Sequence, residues 1–345
     1  MAKIRVAING FGRIGRAFLK VSLEHKELEV VAVNDLTSIE NIAYLLKYDT
    51  AYGTSPFEVK IKDPTTLLVA GKEIAYISEK DATKLPWKAH DIDVVVESTG
   101  LFTEFAKAKV HLDAGAKKVV ITAPAKDEPL ADTPSGTFLL GINSDKIKSC
   151  SITSNASCTT NAASPLIAIL HETIGIEKAI LNTVHGYTAS QSLVDGPSKK
   201  DFREGRAAAM NIVPSSTGAA IAVTKALPEL AGKFDGISVR VPVVTGSIVD
   251  VTFIAKRNTT KEEINDILKK AATDKRWSKT FSVTEEQLVS RDIVGSPFAS
   301  IADLNFTRVV DGNLVKVMAW YDNEMGYTHT LVEHVVLAGK AEIDQ

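Results

Sequence analysis

Two cysteines occur in the 345-residue chain, and one of them has the surroundings of a reactive thiol. Cys158 lies in the octet SNASCTTN (154–161), whose small polar residues precede an apolar run of helical period. This order predicts a helix that begins near the cysteine, with Pro165 either kinking it or delaying its start. A helix N-terminus lowers the pKa of a thiol, and its N–H groups could hold an oxyanion. Cys150, in the strand-like segment 147–153, is interpreted as a small buried side chain.

One of the seven histidines is placed where it could serve such a thiol as a base. His185 directly follows the apolar run 179–184 and precedes a long loop, and a strand end of this kind can present a side chain to a cleft. A cysteine and a histidine that meet in the fold form a nucleophile and its base, although spacing alone leaves a structural role open. The other six are interpreted as surface or capping residues: His25, His90, His111, His171, His329 and His334.

The strongest local motif is a glycine-rich turn near the start of the chain. Gly10, Gly12 and Gly15 form the pattern GFGRIG, which follows a Val/Ile-rich run and opens a stretch of helical period. Such a turn cradles a pyrophosphate at a helix N-terminus. Asp35 follows Gly15 by 20 residues, where a carboxylate binds the adenosine ribose and repels a 2′-phosphate. This combination favours NAD over NADP; the alternative is a plain strand-to-helix turn with a surface aspartate.

The elements that would position these residues alternate between strand and helix in the first 150 residues. Continuous apolar runs predict strands buried on both faces, and segments of helical period lie between them. The predicted strands are 3–9, 30–34, 94–98 and 118–122, and the predicted helices are 15–24, 39–47 and 103–114. This alternation predicts an α/β fold with a doubly wound parallel sheet.

The pattern changes after the octet. The strand candidates 179–184, 236–242 and 248–255 alternate apolar with polar residues, which predicts a sheet with one buried face and hence a second, α+β domain. Helices are predicted over 217–231, 261–275 and 326–340. Nearly thirty residues between Gly186 and Pro214 show little strand pattern, and a loop of that length in a compact domain indicates binding.

The composition is that of a folded chain of about two domains. Hydrophobic residues make up 45% and charged residues 24%, which excludes a mainly disordered chain. A net charge of −2 gives no overall positive field for nucleic acid or anionic lipid. Apolar runs such as 119–122 are far shorter than the ~18 residues that span a bilayer. We therefore expect a cytoplasmic protein without a disulfide framework and with no metal, nucleic acid or membrane partner.

Taken together, these motifs identify a family. The chain resembles the phosphorylating, NAD-dependent glyceraldehyde-3-phosphate dehydrogenases along essentially its whole length, and the octet around Cys158 is the most specific match. The matching stretches are 7–16, 34–35, 97–100, 154–161, 183–185, 216–220, 240–242 and 320–324.

The resemblance implies a role for each matching residue. Cys158 is then the nucleophile, and His185 is the base that activates it and takes the hydroxyl proton. The residues implied to hold the substrate phosphate and the incoming phosphate are Ser157, Thr159, Thr188, Arg203, Thr217, Gly218 and Arg240. The residues implied to contact NAD are Gly10, Gly12, Arg13, Ile14, Gly15, Asp35, Lys80, Thr122 and Asn323.

The resemblance also implies an organisation and an activity. A Rossmann-type NAD-binding domain comprises 1–157 and 323–345, with an inserted α+β catalytic domain, 158–322, built on a mixed sheet. The long loop lines a neighbouring subunit's cofactor site, which implies a homotetramer. The implied reaction oxidises and phosphorylates D-glyceraldehyde 3-phosphate with NAD and inorganic phosphate to 1,3-bisphosphoglycerate, through a thioester on Cys158, in glycolysis or gluconeogenesis.

Three positions depart from the family pattern. Ala162 stands where a second cysteine is usual, Ile221 stands where lysine is usual, and Lys80 replaces a common arginine. None of these changes removes a catalytic group. The alternatives are an erythrose-4-phosphate dehydrogenase on the same scaffold, a non-enzymatic nucleotide-binding protein, and a Cys–His hydrolase, which would not need the glycine-rich turn or Asp35.

Overall fold

The computed structural model describes residues 2–199 and 201–343, which form two compact units. The first unit comprises the chain up to Phe138, Asn143–Ala156 and the residues from Leu331 onward; the second comprises Leu139–Ile142 and Ser157–Thr330. The domain bounds expected from the sequence, 1–157 with 323–345 and 158–322, stay a prediction.

The first unit contains a nine-stranded sheet flanked by helices. Its strands are β1 (Ile4–Asn9), β2 (Leu28–Asn34), β5 (Val59–Asp63), β6 (Thr66–Val69), β7 (Lys72–Ile77), β8 (Val94–Glu97), β9 (Lys118–Ile121), β10 (Ser135–Thr137) and β11 (Ile152–Ser154), with a separate short pair β3 (Tyr48–Asp49) and β4 (Gly53–Thr54). Its helices are α1 (Arg13–Ser22), α2 (Ile39–Lys47), α3 (Phe105–Ala108) and α4 (Val110–Asp113), with 3₁₀ turns at Ala82–Lys84 and Ser144–Ser149.

The strand order β10-β11-β9-β8-β1-β2-β7-β6-β5 confirms the doubly wound, Rossmann-type fold. All pairs from β10 to β7 are parallel, and β7, β6 and β5 continue as an antiparallel meander. Strand β1 lies between β2 and β8, so the strand order reverses at β1. At such a reversal the loops that follow the neighbouring strands turn to opposite faces of the sheet, which leaves a crevice beyond the carboxyl ends of the strands. The Val-rich β8 and β9 are buried throughout, as apolar strands covered on both faces must be.

In the first unit, local structure differs from the sequence-based prediction in three places. The predicted helix 103–114 is two short helices, α3 and α4, joined at Lys109. The meander β5–β7 was not predicted, because most of β5 is exposed and lacks an apolar run. The segment before β11 is a 3₁₀ turn rather than a strand, although Cys150 is buried as expected.

The second unit is built on an eight-stranded mixed sheet. Its strands are β12 (Ile176–Gly186), β13 (Val213–Ser216), β14 (Phe234–Val241), β15 (Ser247–Ala255), β16 (Phe281–Thr284), β17 (Ser300–Asp303), β18 (Arg308–Val310) and β19 (Leu314–Tyr321). Its helices are α5 (Cys158–Thr173), α6 (Ala219–Ala226) and α7 (Lys261–Ala272), and the last helix of the chain is α8 (Met325–Ile343). Short 3₁₀ turns lie at Phe202–Gly205, Ala208–Met210, Pro228–Leu230 and Leu304–Phe306.

One face of this sheet is buried against helices. The apolar residues of α5, α6 and α7 pack with the inward residues of β12, β15 and β19 in one core, which confirms the predicted α+β arrangement. Helix α5 begins at Cys158 and continues through Pro165, so the proline does not delay the helix. The predicted helix 217–231 is shorter, because Pro228 ends α6 and opens a 3₁₀ turn.

None of the helices in the described part of the chain is long and apolar enough to cross a membrane.

Candidate active site

The cysteine of the octet is the first residue of a capped helix. Ser157 is the N-cap of α5, and its Oγ accepts a hydrogen bond from the backbone N–H of Thr160 at 3.1 Å. Cys158 follows in the first turn, where the N–H groups of a helix have no carbonyl partner within the helix. The predicted helix start is therefore confirmed, and the half-buried thiol lies at its positive end.

His185 lies against this thiol. Its Nε2 is 3.4 Å from Sγ of Cys158, and its ring is almost fully buried near the end of β12. The structure thus brings together the cysteine and the histidine that the sequence singled out. A cysteine and a neutral imidazole at this distance form a nucleophile with a base in position to take its proton.

Arg240 is brought to His185 by strand register. β12 and β14 are parallel neighbours, and His185 is the direct partner of Arg240. Nη1 of Arg240 lies 2.6 Å from Nδ1 of His185 and donates to the carbonyl oxygen of Gly186 at 3.3 Å. The same carbonyl lies 2.6 Å from Nδ1. The carbonyl can only accept and the guanidinium can only donate. When Nδ1 of His185 carries the proton it donates to the carbonyl of Gly186, and when Nε2 carries the proton Nδ1 accepts from Arg240.

Burial and Arg240 set the protonation of the pair. Burial, reinforced by the Arg240 charge, lowers the pKa of His185 to about 4. Burial raises the pKa of the Cys158 thiol, while Arg240 and hydrogen bonds at the start of α5 oppose that rise. The expected net lowering of the thiol pKa is therefore wrong, because desolvation outweighs the helix terminus. At neutral pH the pair rests as a thiol beside a neutral imidazole.

Two hydroxyls to which the sequence gave no role, those of Thr183 and Tyr321, lie behind the pair and are joined to the hydroxyl of Thr159. The hydroxyl of Tyr321 is 2.9 Å from Oγ1 of Thr159 and 2.8 Å from Oγ1 of Thr183, and its ring stands edge-on to His185 with 5.9 Å between centroids. Burial raises the pKa of Tyr321, so the phenol stays neutral. Thr183 and Tyr321 are buried residues of the long strands β12 and β19. The alternation of inward and outward residues along these strands is the sequence signal that could have placed both side chains on the buried face.

The remaining predicted anion-binding residues are held elsewhere in the second unit. Oγ1 of Thr217 accepts from the N–H of Ala219 at 3.2 Å, Gly218 is the exposed N-cap of α6, and Oγ1 of Thr188 lies 3.0 Å from Oγ of Ser190. Arg203 is exposed and paired with Asp201, with Nη2 2.7 Å from Oδ2. Within the described residues, no hydrogen bond of Thr188, Arg203, Thr217 or Gly218 reaches the thiol, the imidazole or Arg240.

Two of the other histidines also differ from the prediction. His111 and His334 are fully buried, not surface or capping residues. Nε2 of His334 is 2.8 Å from Oγ1 of Thr153, and its Nδ1 is 3.2 Å from Oδ1 of Asn155. Their charged neighbours in sequence suggested exposure, whereas helix packing decides which face is covered.

The glycine-rich turn of the first unit has the shape that a dinucleotide needs. Gly10 has a φ of +90°, and a Cβ there would lie 2.6 Å from the backbone nitrogen of Thr99. A Cβ on Gly15 would lie 2.3 Å from the carbonyl oxygen of Gly10, whereas one on Gly12 would meet no atom within 4 Å. Packing therefore requires glycine at positions 10 and 15. Gly12 is the N-cap of α1 and no side chain caps this helix, so the space beside Gly12 suits an anion such as a phosphate.

Asp35 is oriented by the backbone around it. One carboxylate oxygen accepts from the N–H of Phe11 at 2.7 Å and the other from the N–H of Thr37 at 2.9 Å. Lone pairs remain on both oxygens for two ribose hydroxyls. The crevice here is lined by Asn9, Gly10, Gly12, Asn34, Asp35, Leu36, Glu79, Lys80, Ala82, Leu85, Ser98, Thr99, Leu101 and Phe102.

The other predicted cofactor residues are placed less directly. The guanidinium of Arg13 pairs with Asp49 at 3.3 Å. Ile14 is half-buried in the first turn of α1, and Thr122 follows β9 with its N–H on the carbonyl of Glu97 at 3.0 Å. Asn323 belongs to the second unit, where its Oδ1 accepts from the N–H of Gly246 at 3.0 Å.

These residues fit NAD. A turn that only glycine can make, a helix N-terminus open to a pyrophosphate and a carboxylate oriented for ribose hydroxyls together match an adenine dinucleotide without a 2′-phosphate. Fold and site thus define an NAD-dependent oxidoreductase with a cysteine–histidine site. The family model "Glyceraldehyde 3-phosphate dehydrogenase, NAD binding domain" matches residues 4–105, and "Glyceraldehyde 3-phosphate dehydrogenase, C-terminal domain" matches residues 157–323.

Relatives agree along almost the whole chain. Glyceraldehyde-3-phosphate dehydrogenase 1 of Kluyveromyces lactis is 47% identical over 96% of this chain and 99% of its own. Glyceraldehyde-3-phosphate dehydrogenase of Mycobacterium avium is 47% identical over 98% and 99%, and that of Streptomyces coelicolor is 46% identical over 97% and 98%. The chain belongs to the glyceraldehyde 3-phosphate dehydrogenase family.

Proposed function

We propose that this protein oxidises D-glyceraldehyde 3-phosphate with NAD and inorganic phosphate, forming 1,3-bisphosphoglycerate. The observation that carries the proposal is the 3.4 Å contact between Sγ of Cys158 and Nε2 of His185 at the start of α5, in a chain of this family. A thiol paired with a neutral base can hold an acyl group as a thioester, and a thioester can pass that group to phosphate.

The first step forms a carbon–sulfur bond. Nε2 of His185 takes the proton of the Cys158 thiol as Sγ attacks the aldehyde carbon, and the same proton then goes to the aldehyde oxygen to complete a hemithioacetal. Because the pKa of His185 is lowered to about 4, the imidazole is neutral at pH 7 and free to accept the proton. The N–H groups at the start of α5 stabilise the oxyanion before it is protonated.

The second step is oxidation. His185 removes the hydroxyl proton of the hemithioacetal, and the carbon becomes the carbonyl of a thioester on Cys158. When bound, NAD accepts the hydride that leaves that carbon. Gly10, Gly12 and Gly15 would hold its pyrophosphate, and Asp35 would hold its adenosine ribose; contacts by Arg13, Ile14, Lys80, Thr122 and Asn323 are proposed on the family resemblance alone.

The third step releases the product. An oxygen of inorganic phosphate attacks the thioester carbon, the carbon–sulfur bond breaks, and the thiolate recovers its proton from His185. Arg240 supplies a positive charge 2.6 Å from Nδ1 of His185, and Ser157, the residue before Cys158, supplies a hydroxyl. A bound anion can draw Arg240 away from Nδ1 of His185. Nδ1 then carries a proton and donates it to the carbonyl oxygen of Gly186. In this tautomer Nε2 has no proton and can act as the base. We assign Thr159, Thr188, Arg203, Thr217 and Gly218 to the two anion sites on the resemblance.

The test is NADH formation from glyceraldehyde 3-phosphate with and without phosphate. Turnover should require phosphate, and arsenate should replace it because it has the same shape and charge. Arg240→Leu should weaken the effect of both anions, since it removes a charge-assisted donor. Arg257→Leu is the matched control, because Arg257 pairs with Glu263 on an exposed surface.

Other outcomes would point to the alternatives. Sustained turnover at full rate without phosphate or arsenate would indicate a hydrolysing aldehyde dehydrogenase. A higher kcat/KM with erythrose 4-phosphate would indicate the tetrose enzyme. Binding of NAD with no NADH formed from either aldehyde would indicate a non-enzymatic nucleotide-binding protein.

We also propose a homotetramer in the cytoplasm. The long loop before β13 carries Leu193, Val194, Phe202, Met210 and Ile212, each between 72 and 84% exposed in the single chain. Large apolar side chains concentrated on one loop are typical of a surface that another subunit covers. A nucleophilic thiol works only when reduced, which favours a reducing compartment. Sedimentation velocity should give four times the 37.1 kDa chain mass, and a monomer would contradict this proposal.

A further inference from the structure

Three neighbouring strands of the first unit end in polar residues whose side chains are joined in a row. Asn34, Asn9 and Glu97 are the last residues of β2, β1 and β8, and strand register places Asn9 opposite both of the others. Nδ2 of Asn34 donates to Oδ1 of Asn9 at 2.8 Å, and Nδ2 of Asn9 donates to Oε2 of Glu97 at 2.6 Å. We call this row the strand-end belt.

Glu97 is the anion on which the belt converges. Its carboxylate accepts from Nδ2 of Asn9, from Nε2 of His111 at 2.9 Å, and from both the N–H (2.8 Å) and the hydroxyl (2.5 Å) of Thr99. The residue is only 2% exposed. A buried carboxylate is tolerated when its oxygens are filled by donors, as they are here.

His111 contributes a fixed proton. The indole N–H of Trp87 donates to Nδ1 of His111 at 3.1 Å, and an indole nitrogen can only donate. The single proton of the neutral imidazole therefore lies on Nε2 and points at Glu97. Trp87 and His111 are fully buried, so this side of Glu97 is shielded from water.

The belt is the floor of the dinucleotide crevice, although Glu97 itself does not line it. Asn9, Asn34 and Thr99 are lining residues. Asn34 immediately precedes Asp35 and is tied to Glu79 through both of its amide atoms, at 2.9 and 3.0 Å. Thr99, held by Glu97, is the residue against which Gly10 packs. One carboxylate thus fixes the segments on the two sides of the crevice.

We infer that Glu97 is a positioning residue for NAD, acting through Asn9 and Thr99 without touching the cofactor. The inference rests on NAD binding by the first unit and not on the identity of the aldehyde. In Glu97→Gln one acceptor becomes an N–H₂ group. That group must face either the donors of Thr99 or those of Asn9 and His111, so one side of the belt loses its hydrogen bonds at unchanged side-chain volume.

The substitution should weaken binding more than turnover. Loss of hydrogen bonds to a buried charge is expected to raise the Kd for NAD, and for ADP-ribose, about tenfold by calorimetry. The KM for NAD should rise in parallel, with kcat and the KM for the aldehyde changed less than twofold. ADP-ribose isolates the effect from hydride transfer, so the result does not depend on the proposed reaction.

Asp93→Asn is the matched control. Asp93 is a buried carboxylate just before β8, at the opposite end of the same strand, where it accepts from the N–H of Arg5 and from Nζ of Lys117, each at 2.8 Å. Both variants should melt below the wild type without ligand, but Asp93→Asn should bind NAD and ADP-ribose with unchanged Kd. Wild-type affinity in folded Glu97→Gln, or an equal loss in both variants, would overturn the inference. If Glu97→Gln does not fold, Asn9→Ala should give the same rise in Kd, and wild-type affinity there would be equally decisive.

Discussion

At the scale of single residues, the chemistry of the site depends on how burial shifts the two reactive groups. Burial pushes the pKa of Cys158 up and that of His185 down, so both favour their neutral forms. Arg240 lowers both values, because its charge favours a thiolate and disfavours an imidazolium. In the proposed reaction the nucleophile is therefore made by proton transfer during attack rather than stored as a thiolate.

Cys158 should be alkylated by iodoacetamide much faster than Cys150. Cys158 is half-buried and has Nε2 of His185 3.4 Å from its Sγ, whereas Cys150 is buried. His185→Asn should slow the labelling of Cys158 and lower the rate of NADH formation about 10²–10⁴-fold. Peptide mass spectrometry of native protein measures both sites. His25→Asn is the control, and equal labelling of the two cysteines would contradict the assignment.

Asp35 should set the cofactor preference. Its carboxylate is fixed by two backbone N–H groups, so it cannot swing away from a 2′-phosphate. Asp35→Ala should narrow the ratio of kcat/KM for NAD over NADP by at least about tenfold. Asp63→Ala, at an exposed position on β5, should leave the ratio unchanged. Equal use of both cofactors by the wild type would refute this role.

At the scale of elements, two helices with similar caps separate stability from function. Oγ of Ser157 accepts from the N–H three residues on, at the start of α5, and Oγ1 of Thr260 does the same at the start of α7. Only the first cap adjoins the reactive thiol. Comparison of the two caps therefore measures what the start of α5 contributes beyond holding a helix together.

Ser157→Ala and Thr260→Ala should each lower the free energy of unfolding by about 1 kcal/mol, because each leaves one N–H of the first turn without its partner. Chemical denaturation measures this loss. Ser157→Ala should also reduce kcat/KM, since the start of α5 orients the thiol, whereas Thr260→Ala should leave it unchanged. Equal kcat/KM in the two variants would show that the cap of α5 is purely structural.

At the scale of the whole molecule, buried neutral histidines make the fold sensitive to acid. Burial lowers the pKa of His334 to about 3, from an ordinary value of 6.5. Between these values the unfolded chain binds a proton that the folded chain does not, so stability falls as the pH falls from 6.5. Each such histidine contributes a slope of up to about 1.4 kcal/mol per pH unit.

His334→Gln should therefore reduce the loss of stability between pH 6.5 and pH 4. The amide can still bond to Thr153 and Asn155, but it does not titrate. The free energy of unfolding, measured against denaturant at several pH values, should fall less steeply than in the wild type. His25→Gln, at a position with more exposure, should keep the wild-type slope, and equal slopes in all three proteins would exclude this role for His334.

The sequence by itself determined what depends on neighbours along the chain. Three local features predict β1, the turn and α1: the Val/Ile-rich run 3–9, the glycines after it and the helical period that follows. They do so because strand, turn and helix start are set by local sterics and polarity. The start of α5 at Cys158 follows in the same way from the small polar residues of the octet. The position of Cys158 at a helix start and the glycine-rich turn before α1 could thus be predicted before any contact was known.

Tertiary structure decided what depends on residues distant in sequence. Arg240 reaches His185 only through the register of β12 and β14, and Tyr321 reaches Thr159 only through packing of β19 beneath α5. Burial of His111 and His334, and the upward shift of the Cys158 pKa, arise from the same cause. Desolvation of a group depends on all the atoms that surround it in the fold, most of which are distant in sequence. The order of residues along the chain therefore does not predict it.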